Sequence, residues 1–318
     1  MPKVSVLIPA FRPNYLDTCL ASVLGQTFPD YEILIGDDCD GEDVASVVSK
    51  WNDPRIRYAR NPRRQEPGAN RDFLLSRATG KYIKFLFDDD FLMPRSIELL
   101  TAAAEEFDAK LTFHGRHLVD SAGRLQYSAS AVPEGRIIGV APDFLFENLV
   151  AKMFNFVGEP SNILIDAEAL RSIPNPFGLD DMQLRFLTDV GLYVNFAHRG
   201  LRMAGIGEFG SAFRTHESQS SGNSQAIYSA GLFEWDLLSR WAADQGHLSI
   251  EMARSAVSLV HQAYLPHLGH LPELSRFMAL GTDPDPSGRF FGPDFRAVLE
   301  AGWEAVEQRR REKKVIAA

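Results

Sequence analysis

The sequence predicts an α/β protein: a doubly wound, mostly parallel sheet with helices on both faces, followed by a helical C-terminal region. Three observations predict this. Apolar strand-like runs alternate strictly with amphipathic stretches over residues 1–115. Several of these runs are almost continuously apolar, as are strands buried on both faces. From residue 227 onward helical spacing of apolar residues replaces the alternation.

Each element of the first part follows from a short local pattern. Apolar runs rich in β-branched and aromatic residues predict strands, and apolar residues three or four positions apart predict helices. The predicted strands are KVSVLIP (3–9), YEILIGDD (31–38), RIRYAR (55–60), KYIKFLF (81–87) and AKLTFH (109–114). The predicted helices are NYLDTCLASVLGQT (14–27), EDVASVVSKW (42–51), GANRDFLLSRAT (68–79) and PRSIELLTAAAEEF (94–107).

After residue 115 the pattern is looser. The stretch GRHLVDSAGRLQY (115–127) predicts a hairpin, with His114 and His117 on its surface. Further predictions are a helical excursion at 142–157, strands at 161–166, 192–196 and 201–209, and helices at 167–173 and 180–191. The polar stretch ESQSSGNSQA (217–226) indicates a boundary, so we expect domains of residues 1–217, in halves 1–115 and 116–217, and 218–318.

Composition excludes several function classes. The net charge of −9 argues against duplex nucleic acid as a partner. Two cysteines exclude a disulfide scaffold or a four-cysteine zinc site and fit a reducing compartment. Because no apolar run approaches the ~18 residues of a membrane span, and the N-terminal run is too short for a signal peptide, the expected location is the cytoplasm or the inner face of the membrane.

Polar residues follow several predicted strands at one sheet edge. Pro9, Ala10 and Phe11 end the first strand, Asp37 and Asp38 the second, and Asp88, Asp89 and Asp90 the fourth. The carboxyl ends of parallel strands share an edge, which is where such sheets bind ligands. An acidic edge needs a cation before it can hold an anion, and Mg²⁺ or Mn²⁺ held by carboxylates supplies one. An acidic surface turn is the alternative.

The residues also resemble a known family. The stretches VSVLIPAFRPNYLDTCLASVLGQTFPDYEILIGDD (4–38) and GANRDFLLSRATGKYIKFLFDDDFLMP (68–94) resemble the family 2 glycosyltransferases of the GT-A group. The resemblance is dense over the first 95 residues and thin to residue 216. It implies a nucleotide-sugar donor, with UDP as the first expectation for the nucleotide, and a divalent Mn²⁺ or Mg²⁺ ion. It also implies inverting transfer to a hydroxyl of a glycan, a lipid-linked glycan or a small molecule. Residues 1–115 would then be the nucleotide-sugar half and 116–217 the acceptor half.

The resemblance also implies roles for individual residues. Pro9, Ala10 and Phe11 would line the base and ribose site, with Asp38 on the nucleobase, and Asn70 and Arg71 complete the expected donor-binding set together with Asp88 and Asp89. Asp90 is the favoured metal ligand, with Asp88 and His216 as further ligands. Phe87 stands where the family often has an aspartate, which leaves open which of Asp88, Asp89 and Asp90 faces the metal.

The catalytic base is expected at Asp181. An inverting transfer needs a group that takes the proton of the acceptor hydroxyl, and the family places an acidic pair at the start of a helix after the acceptor strand. Here GLDDMQLRFLTDVG offers Asp180 and Asp181 near the positive end of a predicted helix. Ordinary N-capping is the alternative role for either residue.

Other readings of the chain remain open. A sugar-nucleotide nucleotidyltransferase would share the sheet and the metal carboxylates, although its glycine-rich triphosphate loop is missing after the first strand. A non-catalytic nucleotide-sugar-binding module is the second alternative. The tail FRAVLEAGWEAVEQRRREKK (295–314) has one apolar helical face that predicts packing on the body, with peripheral membrane contact as the alternative.

Overall fold

The structure is a computed structural model that describes residues 1–64, 66–217, 219 and 227–317, with the backbone alone for 313–317. Short π-helical and 3₁₀ segments supplement the regular elements. The helices are α1 Leu16–Leu24, α2 Asp43–Val48, α3 Ala69–Arg77, α4 Ser96–Glu106, α5 Pro142–Leu145, α6 Ala167–Arg171, α7 Thr188–His198, α8 Tyr228–Asp244, α9 Ile250–Tyr264, α10 Leu274–Ala279 and α11 Pro293–Ala317.

One sheet joins the described strands. They are β1 Val4–Ala10, β2 Tyr31–Asp37, β3 Ile56–Arg60, β4 Tyr82–Phe85, β5 Phe91–Leu92, β6 Leu111–Val119, β7 Leu125–Ala129, β8 Ile137–Val140, β9 Ile163–Asp166 and β10 Met203–Arg214. Their order is β3-β2-β1-β4-β9-β6-β10-β5, and β7 and β8 pair with β6 and β10 off this path.

The sheet has a parallel framework with antiparallel additions. The pairings β1–β2, β1–β4, β2–β3 and β6–β10 are parallel, as the alternation of strands and helices predicts. The short strand β9 lies antiparallel between β4 and β6, and β5, β7 and β8 are also antiparallel additions. The expected parallel arrangement is therefore found for β1–β4 and again for β6 with β10, and the antiparallel strands β5, β7, β8 and β9 are additions to it.

Helices cover both faces of the N-terminal strands. Alternate residues of β1, such as Val6 and Ile8, are fully buried in one cluster with apolar side chains of α1, α2 and α4. On the other face, Leu74 of α3 lies close to Gly36 of β2. This arrangement confirms the predicted helices on both faces and leaves the carboxyl ends of β1, β2 and β4 at one edge.

The chain divides into two compact units. The first comprises residues 1–140, 156–174 and 199–216 and contains the whole sheet. The second comprises residues 141–155, 175–198 and 217–318. The expected division at 217 differs from this grouping, because segments 141–155 and 175–198 pack with the C-terminal helices instead of with the sheet.

Two predicted elements between residues 180 and 196 are incorrect. The stretch LYVNF (192–196), expected as a strand, lies inside helix α7, which begins at Thr188. The helix expected from residue 180 does not start there, because Leu179 and Met182 form an isolated antiparallel bridge around a turn. Asp180 in that turn has a φ of 50°. Asp180 and Asp181 therefore do not lie at a helix N-terminus.

The second unit is built around α8. Phe233 stacks on Phe277 of α10 with ring centroids 4.9 Å apart, and Phe295 and Leu299 of α11 are buried. The packing of α11 agrees with the apolar face predicted for the tail. Across the described ranges, every helix is too short or too polar to cross a lipid bilayer.

Candidate active site

The strand ends of the first unit meet at one edge, as predicted. The amide of Asp38, after β2, donates to the carbonyl of Ala10 at the end of β1, at 2.8 Å. The carboxylate of Asp88, after β4, accepts hydrogen bonds from the amides of Phe11 and Arg12, at 2.7 and 2.8 Å. The ends of β1, β2 and β4 are thus fastened to one another. Pro9 is half-buried, Ala10 is buried and Phe11 is exposed.

Asp88 acts as an anchor for the loop after β1. Its side chain is buried, and burial raises the pKa of its carboxyl to about 6, although the amides of Arg12 and Phe11 act in the opposite direction. One oxygen, Oδ2, receives both amides. A carboxylate held in this way fixes the backbone next to the expected base and ribose site.

Asp89 forms a pair with His216. The Nε2 atom of His216 lies 3.0 Å from Oδ2 of Asp89, and the imidazole is also 5.3 Å, centroid to centroid, from the ring of Tyr15. Asp89 is the more accessible partner, with about a fifth of its side chain exposed (22%) against 5% for His216. The structure thus joins the loop after β4 to the segment after β10.

Asp90, the next residue, is buried. Its Oδ1 accepts the amide of Arg214 at 3.0 Å, and its Oδ2 has no hydrogen-bond partner among the described residues. Burial, followed by the charge of Asp89, raises the pKa of Asp90 well above its ordinary value. The guanidinium of Arg214 donates to the carbonyl of Asp89 at 2.8 Å and lies 4.4 Å from the centre of the Tyr15 ring.

The end of β2 carries a second pair of acids with different roles. Asp37 is fully buried and accepts the Tyr58 hydroxyl at 2.5 Å and the Cys39 amide at 2.8 Å. Asp38 is half-buried and accepts the amide group of Asn61 at 2.7 Å. Asp37 is therefore structural, whereas Asp38 lies at the accessible edge where a nucleobase is expected.

Asn70 and Arg71 open helix α3 beside the same edge. The side-chain amide of Asn70 donates to the Gly36 carbonyl at 2.7 Å, and Asn70 Oδ1 would be 2.1 Å from a Cβ at position 36. A glycine at 36 is required for this close approach. Arg71 contacts Asp72 at 3.1 Å, and burial lowers the pKa of its guanidinium.

A lysine that the sequence analysis did not single out lies close to the loop of residues 86–90, which we call the aspartate loop. Lys84 of β4 is fully buried, and its ammonium donates to the carbonyl of Ser161. The Ser161 hydroxyl accepts the amide of Phe87 at 3.0 Å. Burial lowers the pKa of Lys84 to about 7, and the charge of Asp90 counteracts part of this shift. Lys84 is the one charged residue inside the apolar run YIKFLF (82–87), which is the signal that could have identified it.

His114 is buried as well, contrary to its expected position on a hairpin surface. Its Nδ1 lies 2.5 Å from Oδ1 of Asn162, and its Nε2 lies 2.8 Å from the Ser96 hydroxyl. Asn162 Nδ2 donates to the Val157 carbonyl, so Oδ1 is the acceptor and the His114 proton is assigned to Nδ1. Burial, and then the charge of Lys84, lowers the pKa of His114 to about 3.

His114 gives a testable pH dependence. The unfolded chain takes up a proton near pH 6.5, whereas the folded protein does not until about 3, so the free energy of unfolding falls as pH decreases through this window. Between pH 6.5 and 4.5 we expect protonation of this group in the unfolded chain to lower the free energy of unfolding of the wild type by about 2 kcal/mol. A His114→Gln variant should not show this loss. Urea unfolding of both proteins across that range measures the difference. Parallel pH profiles would contradict the assignment.

The acidic edge fits a divalent cation with few protein ligands better than a metal site in which the protein supplies every ligand. Within the part of the chain that the structure describes, no three His, Cys, Asp or Glu side chains converge on a common metal position. Asp89 and His216 supply one carboxylate and one imidazole side by side. Mg²⁺ and Mn²⁺ commonly take one or two protein ligands and complete their shell with water and phosphate oxygens. These two residues fit such an ion.

The expected base lies in the second unit. Asp180 and Asp181 are both exposed and occupy the turn bridged by Leu179 and Met182. The Asp180 carboxylate accepts the indole N–H of Trp241, from α8, at 2.8 Å. Asp180 is therefore engaged by the protein, while Asp181 is the exposed carboxylate beside it.

Comparison with known proteins shows which family the sequence matches. Residues 5–170 match the family profile "Glycosyl transferase family 2". Similar curated proteins include a Campylobacter jejuni GalNAc(5)-diNAcBac-PP-undecaprenol beta-1,3-glucosyltransferase, 32% identical over 161 residues, which are 49% of this chain and 51% of that protein. A putative teichuronic acid biosynthesis glycosyltransferase, TuaG of Bacillus subtilis, is 23% identical over 70% of this chain and 82% of its own length.

The fold has solved counterparts. A crystal structure of S. aureus TarS in complex with UDP-GlcNAc superimposes with a TM-score of 0.59 at 15% identity, covering 96% of this chain and 81% of that one. At this identity the likeness concerns the fold. The chain spans about half or less of the length of the first curated relatives that it matches.

Proposed function

The chain belongs to glycosyltransferase family 2, and on that premise we propose that it transfers a sugar from a nucleotide diphosphate sugar to an acceptor hydroxyl, with inversion and with a divalent cation. UDP is the proposed nucleotide. The observation that carries the proposal is the single edge at which Asp88 holds the loop after β1 while Asp89 pairs with His216. The UDP-GlcNAc bound to TarS supports a UDP-sugar donor.

The donor site in this proposal uses groups that the fold already fixes. The backbone after β1 is held by Asp88, and the half-buried Asp38, directly after β2, is the proposed contact to the nucleobase. Asp88 and Asp90 are both buried, which favours Asp89 as the carboxylate that faces the cation, with His216 as its neighbour. The cation, when bound, would neutralise charge that develops on the leaving diphosphate.

Buried groups beneath the edge keep the aspartate loop in place. The Asp90 carboxylate holds the amide of Arg214, and the Arg214 guanidinium holds the carbonyl of Asp89. The ammonium of Lys84 donates to the Ser161 carbonyl and interacts electrostatically with Asp90. Fixed charges and dipoles of this kind act without reorganising during the reaction, which is how enzymes obtain much of their electrostatic stabilisation.

The proton-transfer group in the proposal is Asp181. A single displacement with inversion requires a base that removes the acceptor proton while the sugar carbon becomes oxocarbenium-like. Asp181 is exposed in a constrained turn, and its neighbour Asp180 is engaged with Trp241. We propose a glycan or lipid-linked glycan as acceptor, because the C. jejuni relative is named for an undecaprenol-linked substrate and TuaG for teichuronic acid.

A donor screen tests the proposal directly. We expect a UDP-sugar with Mn²⁺ to raise the melting temperature of the whole chain, since ligand at 100 times its Kd stabilises by about 2.7 kcal/mol. The same mixture with a lipid-linked glycan should release UDP. GDP- and dTDP-sugars, and UDP-sugars with EDTA, serve as controls. If no nucleotide sugar alters the melting temperature or releases nucleotide, the proposed function is wrong.

A further inference from the structure

The segment that carries Asp181 is held by side chains of α8 within the second unit. Glu234 of α8 is fully buried, and its carboxylate accepts the consecutive amides of Arg185, Phe186 and Leu187 at 2.6, 3.0 and 2.8 Å. The indole N–H of Trp303, from α11, completes the set at 3.1 Å. These amides directly precede the first residue of α7. A glutamate distant in sequence therefore holds the three residues that lead into α7.

A second contact holds the other end of the same segment. Trp241 is 2% exposed, and its indole N–H donates to Asp180 Oδ2 at 2.8 Å. Residues 234 and 241 are two helical turns apart and so lie on the same face of α8. That face contacts the segment at two places, residue 180 and residues 185–187. Asp181 lies between them in the chain.

Further hydrogen bonds make the turn between these contacts a defined structure. The side-chain amide of Asn175 donates to the carbonyls of Asp180 and Met182, at 3.1 and 2.9 Å. The side-chain amide of Asn195, from α7, donates to the Gly178 carbonyl at 2.8 Å. The left-handed conformation of Asp180 is maintained by this network, because an isolated residue other than glycine rarely adopts it.

We propose that Glu234 and Trp241 are positioning residues for the acceptor base, so that helix α8 sets where the Asp181 carboxylate stands. The inference rests on the proposed function in one respect, the role of Asp181 as base. Glu234 is suited to the task because a carboxylate is acceptor-only, and all the groups that hydrogen-bond to it are N–H donors. A misplacement of about 1 Å in a reacting group can cost 10²-fold in rate.

The variant Glu234→Gln tests the contact with little change in size. Either orientation of the glutamine amide turns an NH₂ group toward N–H donors, so part of the hydrogen-bonded set is lost. We expect kcat to fall by about 10-fold to 100-fold, with the KM and Kd of the donor unchanged within about 3-fold. Hydrogen exchange at the amides of residues 185–187 should accelerate.

Asp244→Asn is the matched control. Asp244 is also on α8, and its carboxylate accepts two consecutive amides, of Phe290 at 2.8 Å and Phe291 at 3.0 Å, in the segment that precedes α11. We expect this variant to lose thermal stability comparably while retaining kcat. Equal losses of kcat in both variants, or faster exchange at 185–187 with wild-type kcat, would overturn the positioning role.

A second variant keeps the test valid if Glu234→Gln fails to fold. Trp241→Phe removes the indole N–H from Asp180 and retains an aromatic ring, and we expect kcat to fall with donor Kd unchanged. A wild-type kcat in that variant would count against the proposal. The base assignment itself is tested separately by Asp181→Asn: if that variant transfers normally, the proposed base is wrong whatever Glu234→Gln does, and the positioning role falls with it.

Discussion

An Asp181→Asn variant should lose transfer activity by about 10²–10⁴-fold, the usual contribution of a general base, while it binds donor normally. Asparagine keeps the size of the side chain but cannot accept the proton of the acceptor hydroxyl. Residue 181 is exposed in the turn, so the substitution should leave the fold intact. Measuring kcat by UDP release, and donor Kd by calorimetry, separates chemistry from binding.

The neighbouring acid provides the discriminating comparison. In Asp180→Asn the side-chain oxygen can still accept the Trp241 indole N–H, and asparagine tolerates the left-handed conformation found at this position. We expect its rate to fall much less than that of Asp181→Asn. If Asp180→Asn showed the large loss and Asp181→Asn did not, the base would have to be reassigned to Asp180.

The second large effect is expected at the accessible carboxylate of the sheet edge. Asp89→Asn should abolish the gain in UDP affinity that Mn²⁺ provides and lower transfer by about 10²–10³-fold, as removal of one group that stabilises developing negative charge does. The reason is that Asp89, with 22% of its side chain exposed and His216 at 3.0 Å, is the most accessible of the three consecutive aspartates and is the proposed cation ligand. Calorimetry with UDP in Mn²⁺ and in EDTA measures the effect.

Asp53→Asn is a suitable control for that experiment. Asp53 pairs with Arg55 at 2.7 Å just before β3, at the opposite edge of the sheet. We expect its UDP affinity to keep the full dependence on Mn²⁺. If Asp90→Asn removed the Mn²⁺ dependence and Asp89→Asn left it unchanged, the sequence-based preference for Asp90 would be right and our reading of its burial would be wrong.

The edge of the sheet could be predicted from sequence because its physical causes are local. Continuous apolar runs identify β1, β2 and β4, and parallel strands place their carboxyl ends together. The hydrogen bonds from Asp38 to Ala10 and from Phe11 to Asp88 are what that reasoning requires. The place of β9 between β4 and β6 could not be predicted, because antiparallel pairing with distant strands leaves no local pattern.

The segment from residue 180 to 196 was misread because tertiary contacts determine it. Helix α7 is buried over almost its whole length, so its apolar run LYVNF resembles a strand. The start of the helix is shifted to Thr188, and the amides before it are satisfied by Glu234, 47 to 49 positions later in the chain. Glu234 is one of two acids, with Asp236, in the otherwise mostly apolar stretch YSAGLFEWDLL, which is a faint signal of that role, and residue spacing alone does not reveal its partner.

The grouping of residues 175–198 with the C-terminal helices bears on how this protein could be re-engineered. A chimaera that exchanges residues 217–318 for those of a relative would separate the segment around Asp181 from the carboxylate and indole it depends on. Transplanting 141–155 and 175–198 together with the helices would keep every such contact intact. The second unit would then be exchanged as one discontinuous set of segments, and the whole sheet would stay with the first unit.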